Sequence, residues 1–323
     1  MIKYRKYSIG IGIVITLVAG YFIVDDILFD GFKPKTINEN GFQADFYSTN
    51  LTQNKTAIIL IGGGQWGHYW GEQFANKGFV GLSLPYIGNE GLPKLPEEIP
   101  LEYFERAIRW LQEQPEVNPD KIVVMGASRN AELALTIAAT FPRLVNGVIA
   151  YAPSSVSWSN TVLPYNSDAI KPSWKYNGKD IPYIPMDKIF GKGAPTINTL
   201  EYWESGLKKN DYAELAAIKV EEIEGPILLL SGKDDKVWPS SLMADRIGKR
   251  LMEHSFNYSF ENIQYEKAGH LISSNPESDS EQRTGNIKID GKTYEFEYGG
   301  TSEGDKNGKQ KAKIEVFQFI EKL

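Results

Sequence analysis

Short unbroken apolar runs alternate along the chain with stretches whose apolar positions recur at helical spacing. "TAIILI" (56–61), "FVGLSL" (79–84), "KIVVMG" (121–126), "VNGVIAYA" (145–152) and "PILLLSG" (226–232) read as strands buried on both faces. "FQADFYS" (42–48) alternates in the manner of a half-covered strand, and "FENIQYE" (260–266) completes the set. Between them, residues 100–114 put Leu101, Phe104, Ile108 and Leu111 on one helix face. Further helices are expected at 129–141, 239–254 and 313–323. Strands that take turns with helices predict an α/β fold, a mostly parallel central sheet flanked by helices.

Two stretches break this rhythm. Residues 153–200 are rich in Pro, Ser, Asn and aromatics and show little periodicity. A connection that long is expected to cover a site, as a lid-like insertion. Residues 273–311 are polar and glycine-rich, and are expected to form a loop with one hairpin turning at Asp290-Gly291. Residues 25–41 read as a linker, which leaves 42–323 as a single α/β domain.

The N-terminus changes the picture. Basic "MIKYRKY" precedes residues 8–24, a run of 17 without a charge, and Asp25 and Asp26 close it. As a helix the run spans roughly 26 Å, just short of a hydrocarbon core of about 30 Å. It is expected to anchor the chain in the cell membrane in a single pass. Positive charge before it and acid after it orient the domain outward. Secretion after signal cleavage is the alternative, although Val18-Ala19-Gly20 is a poor cleavage site; a buried helix is a third reading. The net charge of −6 argues against nucleic acid as a partner. No cysteine is present, which excludes disulfides, thiolate metal sites and a thiol nucleophile.

The strand 121–126 runs into Gly126-Ala127-Ser128-Arg129-Asn130, one residue short of the G-x-S-x-G turn that exposes a nucleophilic serine. A capping serine is the bland alternative. Two further features favour the nucleophile. An acid follows the strand 226–232, and a histidine follows the strand 260–266, so Ser, Asp and His come in the chain order of an α/β serine hydrolase. Asp235 is preferred to Asp234 as the acid, because it lies three residues beyond Gly232. Of the three histidines, His270 alone lies beyond the final sheet strand. His254 sits near a helix C-terminus, where the dipole favours a cation.

The glycine run "IGGGQWG" literally matches G-x-G-x-x-G after a strand. A dinucleotide site would need a good helix next and an acid after the following strand. The segment "HYWGEQFANKG" looks short and glycine-broken, and the next strand ends at Pro85. An oxyanion loop is the better reading. The amides of Gly64 or Gln65 would join that of Arg129 around a tetrahedral intermediate, each donor worth about 3 kcal/mol. Aromatic residues gather near these motifs. Trp66, His68, Trp158, Trp174 and Trp238 are the candidates to line an apolar acyl pocket. A separate small core under the lid is the other use for them. No metal-ligand spacing occurs, and no cofactor is expected.

The pieces "ILIGGGQWG", "LEYFERAIRWLQEQPEVNPDKIVVMGASRNAELAL", "PILLLSGKDDKVWPS" and "YEKAGHLI" together resemble the C-terminal catalytic domain shared by acyl-CoA thioesterases and bile acid-CoA:amino acid N-acyltransferases. The similarity spans roughly 42–272, including the aromatic insertion. It implies an α/β-hydrolase fold and a Ser/Cys–Asp–His triad, here Ser128, Asp235 and His270. Serine in place of cysteine implies hydrolysis of an acyl ester or thioester rather than amide transfer. Three departures stand out. Too few residues precede the first strand for the N-terminal β-sandwich of animal members. Asn130 replaces the second elbow glycine. An outward-facing domain would not meet cytosolic CoA. The alternative function is a catalytically weak or inactive binding protein at the cell surface.

Overall fold

The computed structural model describes residues 33–49, 53–160, 169–189, 195–278 and 281–323. The expected anchor at 8–24 lies outside them. Among the described residues, no helix is long and apolar enough to cross a membrane.

Among the described residues, thirteen strands and seven α-helices follow in chain order. The first half contains β1 (Lys35–Glu39), β2 (Phe42–Tyr47), β3 (Lys55–Ile61), α1 (Gly64–Asn76), β4 (Val80–Leu84), β5 (Ile99–Pro100), α2 (Glu102–Gln112), β6 (Val117–Ala127), α3 (Arg129–Thr140) and β7 (Gly147–Tyr151). A small sheet then adds β8 (Trp174–Tyr176) and β9 (Lys179–Asp180) to β5. The second half contains α4 (Thr199–Leu207), α5 (Asn210–Leu215), β10 (Ile227–Gly232), α6 (Ser240–Glu253), β11 (Phe260–Tyr265), β12 (Thr284–Ile289), β13 (Lys292–Glu297) and α7 (Ser302–Glu321).

Eight strands form the main sheet in the order β1-β2-β4-β3-β6-β7-β10-β11. β1 and β2 are antiparallel to their neighbours, and every pair from β4 to β11 is parallel. The unbroken apolar runs have a direct cause: both faces are covered. In β3, Ala57, Ile59 and Ile61 enter the core beneath α2, α3 and α6, while Ile58 and Leu60 enter the one beneath α1 and α7. β6, β7 and β10 repeat this two-residue alternation.

Three expectations change. The linker extends less far than 41, because β1 pairs along its whole length with β2. The insertion 153–200 carries regular structure: β8 and β9, and bridges from Trp158 to Ile184 and from Ser159 to Pro172. The polar loop 273–311 ends early, since α7 begins at Ser302 rather than 313. Its first turns look loop-like only because glycine faces a crowded neighbour; a Cβ on Gly304 would stand 2.1 Å from the Lys267 carbonyl oxygen. The hairpin turns at Asp290 and Gly291, whose φ values of 48° and 80° suit a two-residue turn.

The parallel strands all deliver their carboxyl ends to one edge, where ligands bind in open α/β sheets. Loops there pack backbone to backbone. A Cβ on Gly232 would meet the carbonyl oxygens of Ala268 and Gly269 at 2.3 Å. Gly232→Ala is therefore expected to cost about 1–3 kcal/mol of stability, the usual range for overpacking. A lowered urea-unfolding midpoint with unchanged slope is the measurement.

Candidate active site

Three strand ends build the site. β6 ends against α3, and the turn between them holds Ser128 at φ 59° and ψ −124°. That conformation is costly for any residue with a Cβ and turns the hydroxyl out of the sheet. The loop after β10 carries Asp235, and the loop after β11 carries His270. The structure brings all three together. His270 Nε2 lies 2.9 Å from Ser128 Oγ, and His270 Nδ1 lies 2.8 Å from Asp235 Oδ2. An imidazole protonated at Nδ1 donates to Asp235 and leaves Nε2 to accept from the serine hydroxyl.

Asp235 is held by four donors. Its Oδ1 accepts from the amides of Val237 and Trp238, and its Oδ2 from Ser240 Oγ as well as from His270. It is 7% exposed, so it stays desolvated without being unpaired. Asp234 points elsewhere: it accepts from the Gly300 amide and pairs with Lys236 at 2.8 Å. The His270 loop is braced from below. Gly269 N–H donates to buried Asp305 at 2.7 Å, and His270 N–H donates to the Tyr298 carbonyl.

Asn130 has room made for it. Its Oδ1 accepts from Tyr86 Oη at 2.9 Å, and its amide nitrogen fills the space that a Cβ on Gly62 would occupy. Gly62, Gly63 and Gly64 have φ of 100°, 59° and 62°, a run open to glycine alone. The glycine loop thus lies against the elbow. Gly64 and Gln65 open α1 and are exposed, and Arg129 is first in α3, so their amides are among the donors that a helix start leaves without an intrahelical acceptor. Arg129 lines the cleft beside Ser128, whereas Gly64 and Gln65 do not.

That cleft has a volume of about 350 Å³. Thr199 and Trp203 of α4, Val237 and Trp238 of the acid loop, and Ile287 and Phe296 of the hairpin form its apolar wall. Of the five candidate lining residues only Trp238 is among them. Its ring stands 6.1 Å from that of His270. Trp66 instead donates its indole N–H to the Ser273 carbonyl, as does Trp70, so both pin the segment after His270 to α1. His68 is exposed and is bonded to Tyr47 on the far side of α1. Trp158 joins Trp203 and Trp238 in a small core beneath the cover, with ring centroids 4.8 and 5.2 Å apart in sequence of contact. Trp174 donates to Glu132 at 2.7 Å. The hairpin wall escaped the sequence reading, because β12 and β13 alternate polar with apolar and carry no chemical motif.

Glu132 was also missed. It is fully buried on α3, ion-paired with Arg129 and bonded to the Trp158 amide and the Trp174 indole. Burial pushes its carboxyl above the usual range, against the pull of Arg129 and of those donors. Arg129 continues the contact to Ser173 Oγ at 2.6 Å and lies 5.5 Å from the Trp174 ring centroid. A lone acid three residues after Arg129 in an alanine-rich helix was the available signal. Glu132→Gln is expected to cost about 3–5 kcal/mol, since it strands a buried guanidinium. The double variant Arg129→Met/Glu132→Gln should lose less, as read from urea unfolding.

A family model described as BAAT / Acyl-CoA thioester hydrolase C terminal matches residues 99–323. Acyl-coenzyme A thioesterase 1 of Mus musculus is 29% identical over 220 residues, covering 67% of this chain and 47% of its own length. Acyl-coenzyme A amino acid N-acyltransferase 2 of the same organism is 29% identical over 201 residues, covering 61% and 43%. The chain spans less than half the length of these curated relatives. Among solved structures, a dienelactone hydrolase-like promiscuous phosphotriesterase from metagenomic libraries superposes with a TM-score of 0.53 at 10% identity, covering 91% of this chain and 99% of that one. A thermophilic esterase from Thermogutta terrifontis gives 0.51 at 15% identity, covering 90% and 92%. At such identities the likeness establishes the fold, an α/β-hydrolase fold.

Proposed function

Because the chain belongs to the BAAT / Acyl-CoA thioester hydrolase C-terminal family, we propose that it is a serine hydrolase that cleaves carboxylic esters or thioesters through an acyl-enzyme on Ser128. One observation carries the reading: an unbroken relay of 2.9 and 2.8 Å contacts from Ser128 through His270 to a fully bonded Asp235.

In this mechanism Ser128 Oγ attacks the acyl carbonyl carbon, and its proton passes to His270 Nε2. Asp235 holds the ring and stabilises the imidazolium. The carbonyl oxygen, now negative, takes a hydrogen bond from the Arg129 amide, the donor among the three candidates that lines the cleft. As the intermediate collapses, the bond to the leaving alcohol or thiol breaks, and His270 returns the proton to it. Water enters, loses a proton to His270, and attacks the acyl-enzyme. The carboxylic acid leaves and Ser128 regains its proton. The acyl group rests against the apolar wall formed by α4 and the hairpin.

Asn130 was the main support for an inactive binding protein. That objection loses its steric basis, since Gly62 makes room for the side chain and Tyr86 bonds it.

Ser128→Ala is expected to lower kcat for a p-nitrophenyl ester by about 10⁴-fold or more, with the fold unchanged by circular dichroism. A fluorophosphonate should label the parent chain and not the variant. Asp235→Asn should lose about 10⁴-fold, because the imidazole would adopt the wrong tautomer. Full activity in Ser128→Ala would refute the reading.

Placement outside the cell membrane is part of the same proposal and rests on the charge pattern of residues 1–26. Protease added to intact cells should remove the domain while a cytosolic control survives.

A further inference from the structure

The segment Tyr298-Gly299-Gly300-Thr301 leads from β13 into α7 and lies wedged between the loops that carry Asp235 and His270. The Tyr298 carbonyl accepts from the amides of His270 and Lys236 at 2.9 and 3.4 Å, and the Gly300 amide donates to Asp234. Close approach explains the glycines. A Cβ on Gly299 would stand 1.8 Å from the Asp234 carbonyl oxygen, and one on Gly300 would stand 2.5 Å from the Gly269 nitrogen. Both have positive φ, 77° and 78°. The Thr301 amide donates to the Lys267 carbonyl at 2.8 Å, and Thr301 Oγ1 caps α7 by accepting from the Gly304 amide. The start of α7 is thereby fixed against the residues just before His270.

Asp305 follows one turn into that helix. It is 3% exposed, and both of its carboxylate oxygens are engaged. Oδ1 accepts from the Gly269 amide at 2.7 Å, and Oδ2 pairs with Arg283. The Arg283 carbonyl in turn accepts from the Tyr298 amide at 2.7 Å. A circuit therefore runs from Gly269 through Asp305, Arg283 and Tyr298 back to His270, and both peptide N–H groups on either side of the Gly269 carbonyl end on it. A buried ion pair is weak ground for stability, since apolar side chains of similar volume often serve as well or better. What an apolar pair could not do is accept from the Gly269 amide.

We infer that Asp305 is a positioning residue for the reaction: through the Gly269 amide its carboxylate places the His270 imidazole between Ser128 and Asp235, and Arg283 is the counter-ion that lets this carboxylate lie buried. This rests on the hydrolase reading above and deepens it. The imidazole has to serve contacts of 2.9 and 2.8 Å at once, so its peptide must be held on a matching scale. Misplacement of such a group by about 1 Å can cost about 10²-fold in rate. Neither Asp305 nor Arg283 lines the cleft, so the effect falls on the chemical step rather than on substrate binding.

The test compares three variants of the purified full chain, with kcat for a p-nitrophenyl ester expressed per active site titrated by a fluorophosphonate. In Asp305→Ala, kcat is expected to fall at least about tenfold, with KM within about threefold of the parent. The double variant Arg283→Met/Asp305→Leu replaces the ion pair by apolar groups and so keeps the fold even where the single variant loses it. It should show the same loss of kcat at a urea-unfolding midpoint close to the parent's. Arg283→Met retains the acceptor for Gly269 and should keep kcat within about threefold. The rate of fluorophosphonate labelling should fall together with kcat, because it too needs His270 in reach of Ser128. A purely structural role would move the unfolding midpoint and leave kcat per titrated site unchanged. Parental kcat in the double variant, or an equal loss in Arg283→Met, would overturn the inference while leaving the hydrolase reading intact. A parent chain that neither turns over the ester nor takes the label would overturn both.

Discussion

Everything at the carboxyl edge of the sheet depends on one backbone conformation. Ser128 sits at φ 59° on a residue that has a Cβ, a state that costs about 1–3 kcal/mol and persists only where the surroundings over-determine it. They do so from both sides. Gly126 lets α3 close onto β6, since any Cβ there would lie 2.1 Å from the Asn130 carbonyl oxygen. The Ser128 amide donates to the Tyr151 carbonyl of β7, and its own carbonyl accepts from Ala131 and Glu132. The serine can leave this conformation only if helix and sheet separate. Its hydroxyl is thereby fixed over the strand ends, within reach of a histidine delivered by a strand three places along the sheet.

The cover over the cleft is tied to that same turn. Arg129 and Glu132 lie in the first helical turn after the serine, and they hold the main chain at Trp158 and the side chains of Ser173 and Trp174. On the other side of the sheet, Trp66 and Trp70 bond Ser273, and Asp305 at the start of α7 bonds Gly269. Buried polar groups of this kind are expensive unless paired, and here the pairs join segments distant in the chain. Loss of one partner would loosen both the cover and the geometry of the relay. The cover and the relay therefore share structural supports.

The sheet was legible because continuous apolar runs have one economical explanation, burial on both faces. The residues of the relay were legible because each follows a strand whose carboxyl end is bound to meet the others. Glycine caused the misreadings. Gly67 and Gly71 made α1 look broken, yet they lie where a Cβ would strike Ser83 Oγ at 2.3 Å or the Tyr47 ring at 2.5 Å. Close packing demands them, and α1 runs unbroken for 13 residues. One of the two grounds for rejecting a dinucleotide site thus falls; the other, Pro85 and no acid after β4, stands. The tryptophans misled for a different reason. Sequence proximity to the motifs placed them near the mouth, but an indole has an N–H to satisfy, and Trp66, Trp158 and Trp174 satisfy theirs on Ser273, Ser154 and Glu132. Pairing across the chain cannot be read from composition.

The acids of this site fall into two physical groups. Asp235 and Glu132 are buried, and each is surrounded by donors that offset its charge. Their fields are spent locally, on an imidazole and a guanidinium. Glu295 and Glu297 stand exposed on a strand edge, where water and salt weaken each pair interaction yet leave the sum acting on anything that approaches. The hairpin wall can change charge without disturbing the serine turn, since β12 and β13 form a sheet of their own.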